Sequence, residues 1–460
     1  MQQKVSVDRV ADETTSIHIR KFLETPGKSF FLLWIPVLFS MVAEPLTGLV
    51  DTAFVARLGV EALAALGVGT VVLSSGLWLF NFLSVGSQTE VAQALGRKEL
   101  SQGRKIASLA LILAVGIGIC ISLLLYVSAS QVASLLGATA VIHQYAETYI
   151  QIRAFGGPAV LVTITSFGLL YGLGDMRTPL GIAVGVNVMN IGLDFLFIFG
   201  MGPLPALGIA GAALASSLSQ VFGAIVCGYV VFKKLGFTAD IELGHLTKML
   251  KIGRDMLFRT GSLILFLLLA TRLATQLGPE SGAAHQAIRQ VWVFTGFFLD
   301  ATAVVAQSAI GFYVGCQKVV QARKVAWLVC GWSLFIGVLL MAAMIAGKDW
   351  VATVLLPEGG ASLFSLAWII AALFQPVAAI AFVTDGIHWG TGDFKYLRNV
   401  VIVATLCASF CLAVVEILQL DSLAVIWWIT GGWLVIRALF GILRIWPGSP
   451  RSPLFVINRS

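Results

Sequence analysis

The chain has 460 residues, 58% of them hydrophobic and only 12% charged. Soluble domains carry roughly 45–50% apolar and about 25% charged residues, so this balance excludes a soluble globular protein. The net charge of +7 reflects membrane topology rather than a nucleic-acid surface, because the basic residues concentrate in loops on one side of the apolar runs.

In chain order, residues 1–28 form a polar lead, beginning "MQQKVSVDRVADETTSIHIRK". It has no apolar run followed by a small-residue cleavage site, which predicts a cytoplasmic segment rather than a cleaved signal. Apolar runs of the roughly twenty residues needed to cross a hydrocarbon core then recur at 29–56, 62–86, 106–128, 145–172, 179–200, 208–232, 250–276, 282–314, 325–346, 362–390, 399–418 and 421–442. They lack the ten-residue alternating segments of a barrel, so the expected fold is an all-α polytopic membrane protein with twelve transmembrane helices. Arg97, Lys98, Arg104 and Lys105, then Lys233, Lys234, Lys248, Lys251 and Arg254, then Lys318, Arg323, Lys324, Lys395, Arg398 and Arg444 fall on one side. That side is expected to be cytoplasmic, with both termini on it, in the cell (inner) membrane.

The chain repeats itself. "LGVEALAA" (58–65) aligns with "LGPESGAA" (277–284), "VAQALGRKELSQGRK" (91–105) with "VAQSAIGFYVGCQKVVQARK" (305–324), and "YGLGDMRTPL" (171–180) with "HWGTGDFKYL" (388–397), at offsets close to 218 residues. The repeat predicts two pseudo-symmetric six-helix lobes, an N-lobe over 29–232 and a C-lobe over 250–442, with a cytoplasmic linker at 233–249 and a tail at 443–460. Parallel duplication of this kind is the build of alternating-access transporters. An ion channel fits it poorly.

An acid at the centre of a spanning helix costs about 2.5–3.5 kcal/mol on insertion scales, so each one calls for a partner, a wet cavity or a function. In the first helix, "AEPLTGLVDTAFVARLG" (43–59) carries Glu44 and Asp51, seven apart and on nearly the same face. In the fifth, "NVMNIGLDFLFIFG" (187–200) carries Asn187, Asn190 and Asp194, which fall within an arc of about 60° on an α-helix. Counting rise per residue puts Asp51 and Asp194 at similar depth, as a shared proton or cation site requires. The bland alternatives are interhelical hydrogen bonding for the stripe and snorkelling for Asp51. The repeat argues against a purely structural role: Ala270 stands where Asp51 would recur, and "FCLA" (410–413) has no acid to match Asp194.

Pro36 and Pro45 remove backbone bonds from the first helix and are expected to let it bend. Asp300 in the eighth helix is a candidate second polar centre; the bland alternative is pairing with Arg289 eleven residues earlier on the same helix or with an arginine on a neighbour, and Arg289 could also serve an acidic substrate. Asp385 is expected to reach water, and Arg153, Arg272, Arg259 and Arg437 to be snorkelling anchors. Six cysteines lack the spacing of a metal or disulfide framework. No phosphate-cradling loop, H-E-x-x-H or nucleophile elbow is present, so neither nucleotide hydrolysis within the chain nor enzymatic catalysis is expected, and an ion gradient is left as the energy source.

These motifs, with "GPLPALGIAGAALAS" (202–216), "RDMLFR" (254–259) and "FVTDGIHWGTGD" (382–393) in order, make residues 25–445 similar to the multidrug and toxic compound extrusion (MATE) family, in its DinF-like branch. The resemblance implies export of organic, often cationic, compounds in exchange for H⁺ or Na⁺. It implies coupling through the acid matching Asp51, a polar cluster with the pair matching Asn190 and Asp194, and bending at the proline matching Pro36. Ala212 and Ala213 offer no hydroxyl to a sodium cage there. The expected function is thus a multidrug antiporter with no cofactor beyond H⁺ or Na⁺. Its expected partners are small organic solutes and the bilayer, no nucleic acid is expected, and it should act as a monomer. A lipid or glycan flippase and an organic-acid exporter are the alternatives. A phosphate-handling flippase chamber should be basic, whereas the first lobe is acidic and amidic.

Overall fold

The protein is described from a computed structural model covering residues 17–201, 204–356, 361–419, 422–446 and 451–455. In the first half lie α1 (Pro26–Val55), α2 (Val60–Trp78), α3 (Phe82–Arg97), α4 (Leu100–Leu135), α5 (Ala140–Ala154), α6 (Gly157–Gly172), α7 (Arg177–Phe199) and α8 (Ile209–Leu235). In the second lie α9 (Leu243–Gln276), α10 (Pro279–Gly315), α11 (Val319–Leu355), α12 (Ala361–Leu373), α13 (Gln375–Thr391), α14 (Phe394–Ile417) and α15 (Leu423–Ile445). Nine of these helices are each long and apolar enough to cross a membrane, and α5–α6 and α12–α13 do so as bent pairs. With α2–α3 as the remaining pass, this is the expected twelve. The apolar face of α4 (Ile112, Val115, Ile119, Leu123 and Val127) is exposed, an arrangement stable only against lipid.

Three expected spans are not single helices. Residues 145–172 break at Gly156 with a 51° bend and 362–390 break at Phe374 with a 44° bend. At both, a proline enters at the start of the next helix, Pro158 or Pro376, and its missing N–H ends the preceding hydrogen-bond ladder. The run 62–86 is broken at residues 79–81 and its second piece continues to Arg97. Conversely, α1 is one helix through both Pro36 and Pro45.

The chain forms two compact units, one taking in Ile35–Gly253 and the other Ile19–Trp34 with the chain from Arg254 onward. The boundary thus falls inside α1 rather than ahead of residue 29. Phe30 stacks on Trp332 at 5.9 Å, and Trp34 Nε1 donates to the Phe298 carbonyl at 3.1 Å. The expected linker is likewise tied down within the first unit, where Lys248 pairs with Glu90 at 2.6 Å and Lys105 with Glu242 at 2.6 Å.

Each unit has the same internal packing. In the first, α3 packs on α6, α6 on α4 and α8, and α8 on α7; in the second, α10 packs on α13, α13 on α11 and α15, and α15 on α14. Glycines one turn apart explain the closeness. A Cβ on Gly168 would lie 2.3 Å from the Ser84 carbonyl oxygen and one on Gly172 2.7 Å from that of Gln88; Gly386 and Gly390 meet Ala303 and Gln307 at 2.2 and 2.7 Å. Without a hydrophobic drive between helices in lipid, such small residues let backbones approach and gain dispersion.

The loops before α7 and α14 are fastened alike. Asp175 accepts from the Thr178 N–H at 3.1 Å and pairs with Lys234 at 2.5 Å; Asp393 pairs with Arg444 at 3.0 Å and faces His388 at 3.7 Å. Burial alone would raise both carboxyls. Lys234 and Thr178 outweigh it at Asp175, and His388 and Arg444 at Asp393, so both sit below the usual carboxylate value of 3.8.

Two outcomes follow from this packing. Gly386→Val should lower the thermal midpoint by roughly 5–10 °C, since overpacking costs about 1–3 kcal/mol or more; fluorescence-monitored unfolding checks this, and a wild-type midpoint refutes it. Because Asp175 is lowered on folding, its contribution is present above the usual carboxylate value and lost as pH falls through the folded one. Lys234→Met should therefore melt below wild type near neutral pH and converge on it as the pH falls below the folded value of Asp175, as melting curves across pH would reveal.

Candidate functional site

The first unit gathers its membrane-embedded polar residues from four helices. Asp194 and Asn190 on α7 are buried, at 0% and 2% exposure. On α1, seven residues beyond Glu44, Asp51 turns toward them, and its carboxyl lies within electrostatic reach of that of Asp194. From α8, Ser216 Oγ accepts from Asn190 Nδ2 at 3.4 Å and donates to Asp51 Oδ2 at 3.5 Å. Local sequence makes this convergence possible. Ala212, Ala213 and Ala215 on α8 are small enough to bury, and Gly211 would place a Cβ 2.4 Å from the Phe197 carbonyl oxygen, so α8 and α7 lie backbone to backbone.

The donor–acceptor balance is one-sided. Both oxygens of Asp194, Oδ1 of Asp51 and Oδ1 of Asn190 are buried without a hydrogen-bond donor among the described residues. Two neighbouring carboxyls are both acceptors when ionised and repel each other, so a proton or a cation is needed to bring them together. Arg153 at the end of α5 acts electrostatically on Glu44, Asp51 and Asp194. Arg153, expected as an outer anchor, thus lies within electrostatic reach of this centre.

The remaining expected residues divide. Asn187 Nδ2 donates to the Ala43 carbonyl at 2.7 Å, so its amide ties α7 to the backbone of α1. Glu44 is exposed on α1. Pro36 and Pro45 lie within α1 on either side of Ser40, whose hydroxyl meets the Tyr171 hydroxyl at 2.7 Å. Ser216 was not singled out from the sequence. It lies one turn beyond Ala212, and the signal that could have found it is that spacing along "AALASS" (212–217).

The second unit holds a different centre. Asp385 on α13 is 3% exposed, and its Oδ2 accepts from Nη2 of Arg259 on α9 and, at 2.8 Å, from Nη2 of Arg437 on α15. Asp385 is thus enclosed rather than open to water. Arg259 and Arg437, expected as anchors, are 8% and 2% exposed and bonded inside the lobe. Asp300 on α10 faces this group, feeling Arg259, Asp385 and Arg437. Its expected partner Arg289 instead donates to Gln286 at 3.4 Å on the same helix. Among the described residues no three His, Cys, Asp or Glu side chains converge as a metal site.

Comparison with known proteins agrees with this build. The MatE family profile matches residues 36–196 and 258–415, one stretch in each repeat. "Protein DETOXIFICATION 44, chloroplastic" of Arabidopsis thaliana is 30% identical over 84% of this chain and 76% of its own length. "DNA damage-inducible protein F" of Escherichia coli is 25% identical over 92% and 93%. Among solved structures, a MOP superfamily transporter from Pyrococcus furiosus superposes with a TM-score of 0.83 at 21% identity, covering 94% of this chain and 98% of the other. A crystal structure of MATE in a bent conformation gives 0.83 at 21% identity, covering 94% and 96%. The duplicated six-pass lobes, the profile match in both halves and these relatives together make the chain a member of the MATE family of transporters.

Proposed function

We propose that the protein is a secondary antiporter that exports amphiphilic organic compounds in exchange for H⁺, coupled through Asp51 and Asp194 with Asn190 and Ser216 as their supports. The observation that carries this reading is the set of buried oxygens without donors around the Asp51–Asp194 pair. A proton can be shared by two neighbouring carboxyls, whereas a hard cation asks for about six oxygens around it. That favours H⁺ over Na⁺. The second unit supports the same assignment, because Asp385 is engaged by two guanidiniums and is not free to exchange an ion.

The expectation of a cationic solute rested on the acids of the first lobe. With those acids serving the coupling ion, they do not define the charge of the cargo. In this reading protonation from outside neutralises the pair, α1 bends near Pro36, and the first-lobe cavity contracts so that substrate leaves. The driving force is the difference in proton affinity between the two states. The chain works as a monomer in the cell (inner) membrane with both termini cytoplasmic, as the one-sided lysines and arginines favour. A flippase or an organic-acid exporter is the competing reading, and the second-unit arginines bear on it.

Asp51→Asn should abolish gradient-driven export in proteoliposomes, leaving about a tenth or less of the wild-type rate, while expression and melting stay near wild type. Full transport by this variant refutes the coupling role. Asp194→Asn and Asn190→Ala should each move the pH midpoint of substrate release by about one unit or more. Should both keep the wild-type midpoint, the α7 stripe is interhelical glue. Imposed Na⁺ gradients at fixed pH should drive no flux.

A further inference from the structure

We infer that the first unit binds one anionic phospholipid in a groove between α4 and α8, with an acyl chain along the groove and the phosphate against Arg104 and Lys233. Both helices pack on α6, and between them lies a cavity of about 360 Å³, lined by Leu111 on α4 and by Gly228, Val231, Phe232, Gly236 and Phe237 on and just past α8. The groove opens on a lipid-facing surface. Phe232 and Phe237 in its wall are 61% and 51% exposed, and Val115, one turn along α4 from Leu111, and Ile225 on α8 are exposed as well. Apolar surface of this kind is at home only against acyl chains. Gly228 helps to open the groove, because a Cβ there would meet nothing within 4 Å.

One end of the groove is cationic. Arg104 Nε donates to the Leu235 carbonyl at 2.8 Å, and a Cβ on Gly236 would lie 3.0 Å from that nitrogen, so the guanidinium sits where Gly236 lines the groove. Lys233 follows Phe232 in the chain and is exposed. Neither forms an ion pair among the described residues, whereas the acids of this region are engaged by other lysines: Asp175 by Lys234, and Asp240 and Glu242 by Lys105. Two uncompensated positive charges at the polar end of an apolar groove are complementary to an acidic headgroup on its chains.

The repeat offers a comparison. Arg104 and Lys105 align with Arg323 and Lys324. In the second unit this corner is covered by the chain itself. Trp446, the first residue past α15, packs on Trp327 with ring centres 4.8 Å apart, Arg323 donates to the Leu454 carbonyl, and Ser452 and Leu454 are buried. The first unit instead has Gly236 as the first residue past α8 and Ser108 at the position of Trp327. One half covers the corner with its own tryptophans and tail; the other presents apolar walls and a basic end to the bilayer.

Placing the lipid in the cytoplasmic leaflet rests on the orientation proposed above; the binding itself does not. The test is native mass spectrometry of the purified full chain with dioleoyl phosphatidylglycerol or dioleoyl phosphatidylcholine, joined to photolabelling by a phosphatidylglycerol with a photoreactive acyl chain. One phosphatidylglycerol should be retained about tenfold or more over phosphatidylcholine, and the label should fall on residues 104–111 and 228–237. Gly228→Leu fills the groove without a clash and suits a helix better than glycine, so it should fold as wild type does yet lose retention and label. Lys233→Gln should weaken phosphatidylglycerol about fivefold, and adding Arg104→Gln should bring it to the phosphatidylcholine level. Lys233→Gln leaves the bond from Arg104 to Leu235 in place, so its result stands even where the double variant does not fold. Equal retention of the two lipids overturns the proposal, as do label outside the groove and retention unchanged in Gly228→Leu. Equal binding of glycerol 1-phosphate, which has no chains, also overturns it in favour of a simple phosphate site. A lipid-free dimer that Gly228→Leu dissociates overturns it in favour of a second copy of the chain.

Discussion

A polar atom buried inside a bilayer has no water to fall back on, and every N–H and C=O of the spanning backbone must be satisfied within the protein. That constraint fixes the helices first. It then sets the terms for the side chains, because a carboxyl or guanidinium placed among them stays only if a partner, a proton or a ligand completes it. Both polar centres are answers to this one demand. In the first unit two neighbouring acids present buried oxygens that have no donor among the described residues; in the second, two arginines close on one aspartate and two flanking tryptophans.

The duplication preserved one layer of the structure and released another. Backbone contacts are repeated nearly atom for atom, since Gly168 and Gly172 stand 218 positions from Gly386 and Gly390 and touch equivalent carbonyls. A glycine at such a contact has no substitute, because any Cβ would overlap the facing strand of backbone. The charged residues had no such restriction. A lobe can hold an acid pair or an arginine–aspartate cluster on the same scaffold, provided each is completed locally. The twofold build is therefore a property of helix packing, and the chemistry in each half is its own.

Much of this was legible in the sequence. Hydrophobic run length gave the passes, the internal repeat gave the two halves, and helical spacing put Asn190 and Asp194 on one face with an acid of α1 at matching depth. What escaped was angular. Depth can be counted along a helix at about 1.5 Å per residue, but which neighbour a side chain faces depends on tilt and on breaks. Arg259 and Arg437 lie near helix ends in sequence, the usual place for snorkelling, yet each pairs inward with Asp385. The bends at Gly156 and Phe374 were hidden because Pro158 and Pro376 sit within continuous apolar runs. Ser216 was hidden because hydroxyls are common in apolar helices and only the arrival of Asp51 from α1 gives this one a role.

The division of α1 between the two units has a consequence for biogenesis. Ile19–Trp34 is synthesised long before its partners Phe298, Tyr313 and Trp332. The N-terminal segment must wait through synthesis of the whole first unit before its stacking partners exist. The second unit cannot finish folding from its own contiguous stretch of chain, so its completion depends on docking a segment made before the whole first unit, not on a strictly domain-by-domain sequence. Cutting the chain between its repeats would yield a second half lacking a piece of its own core.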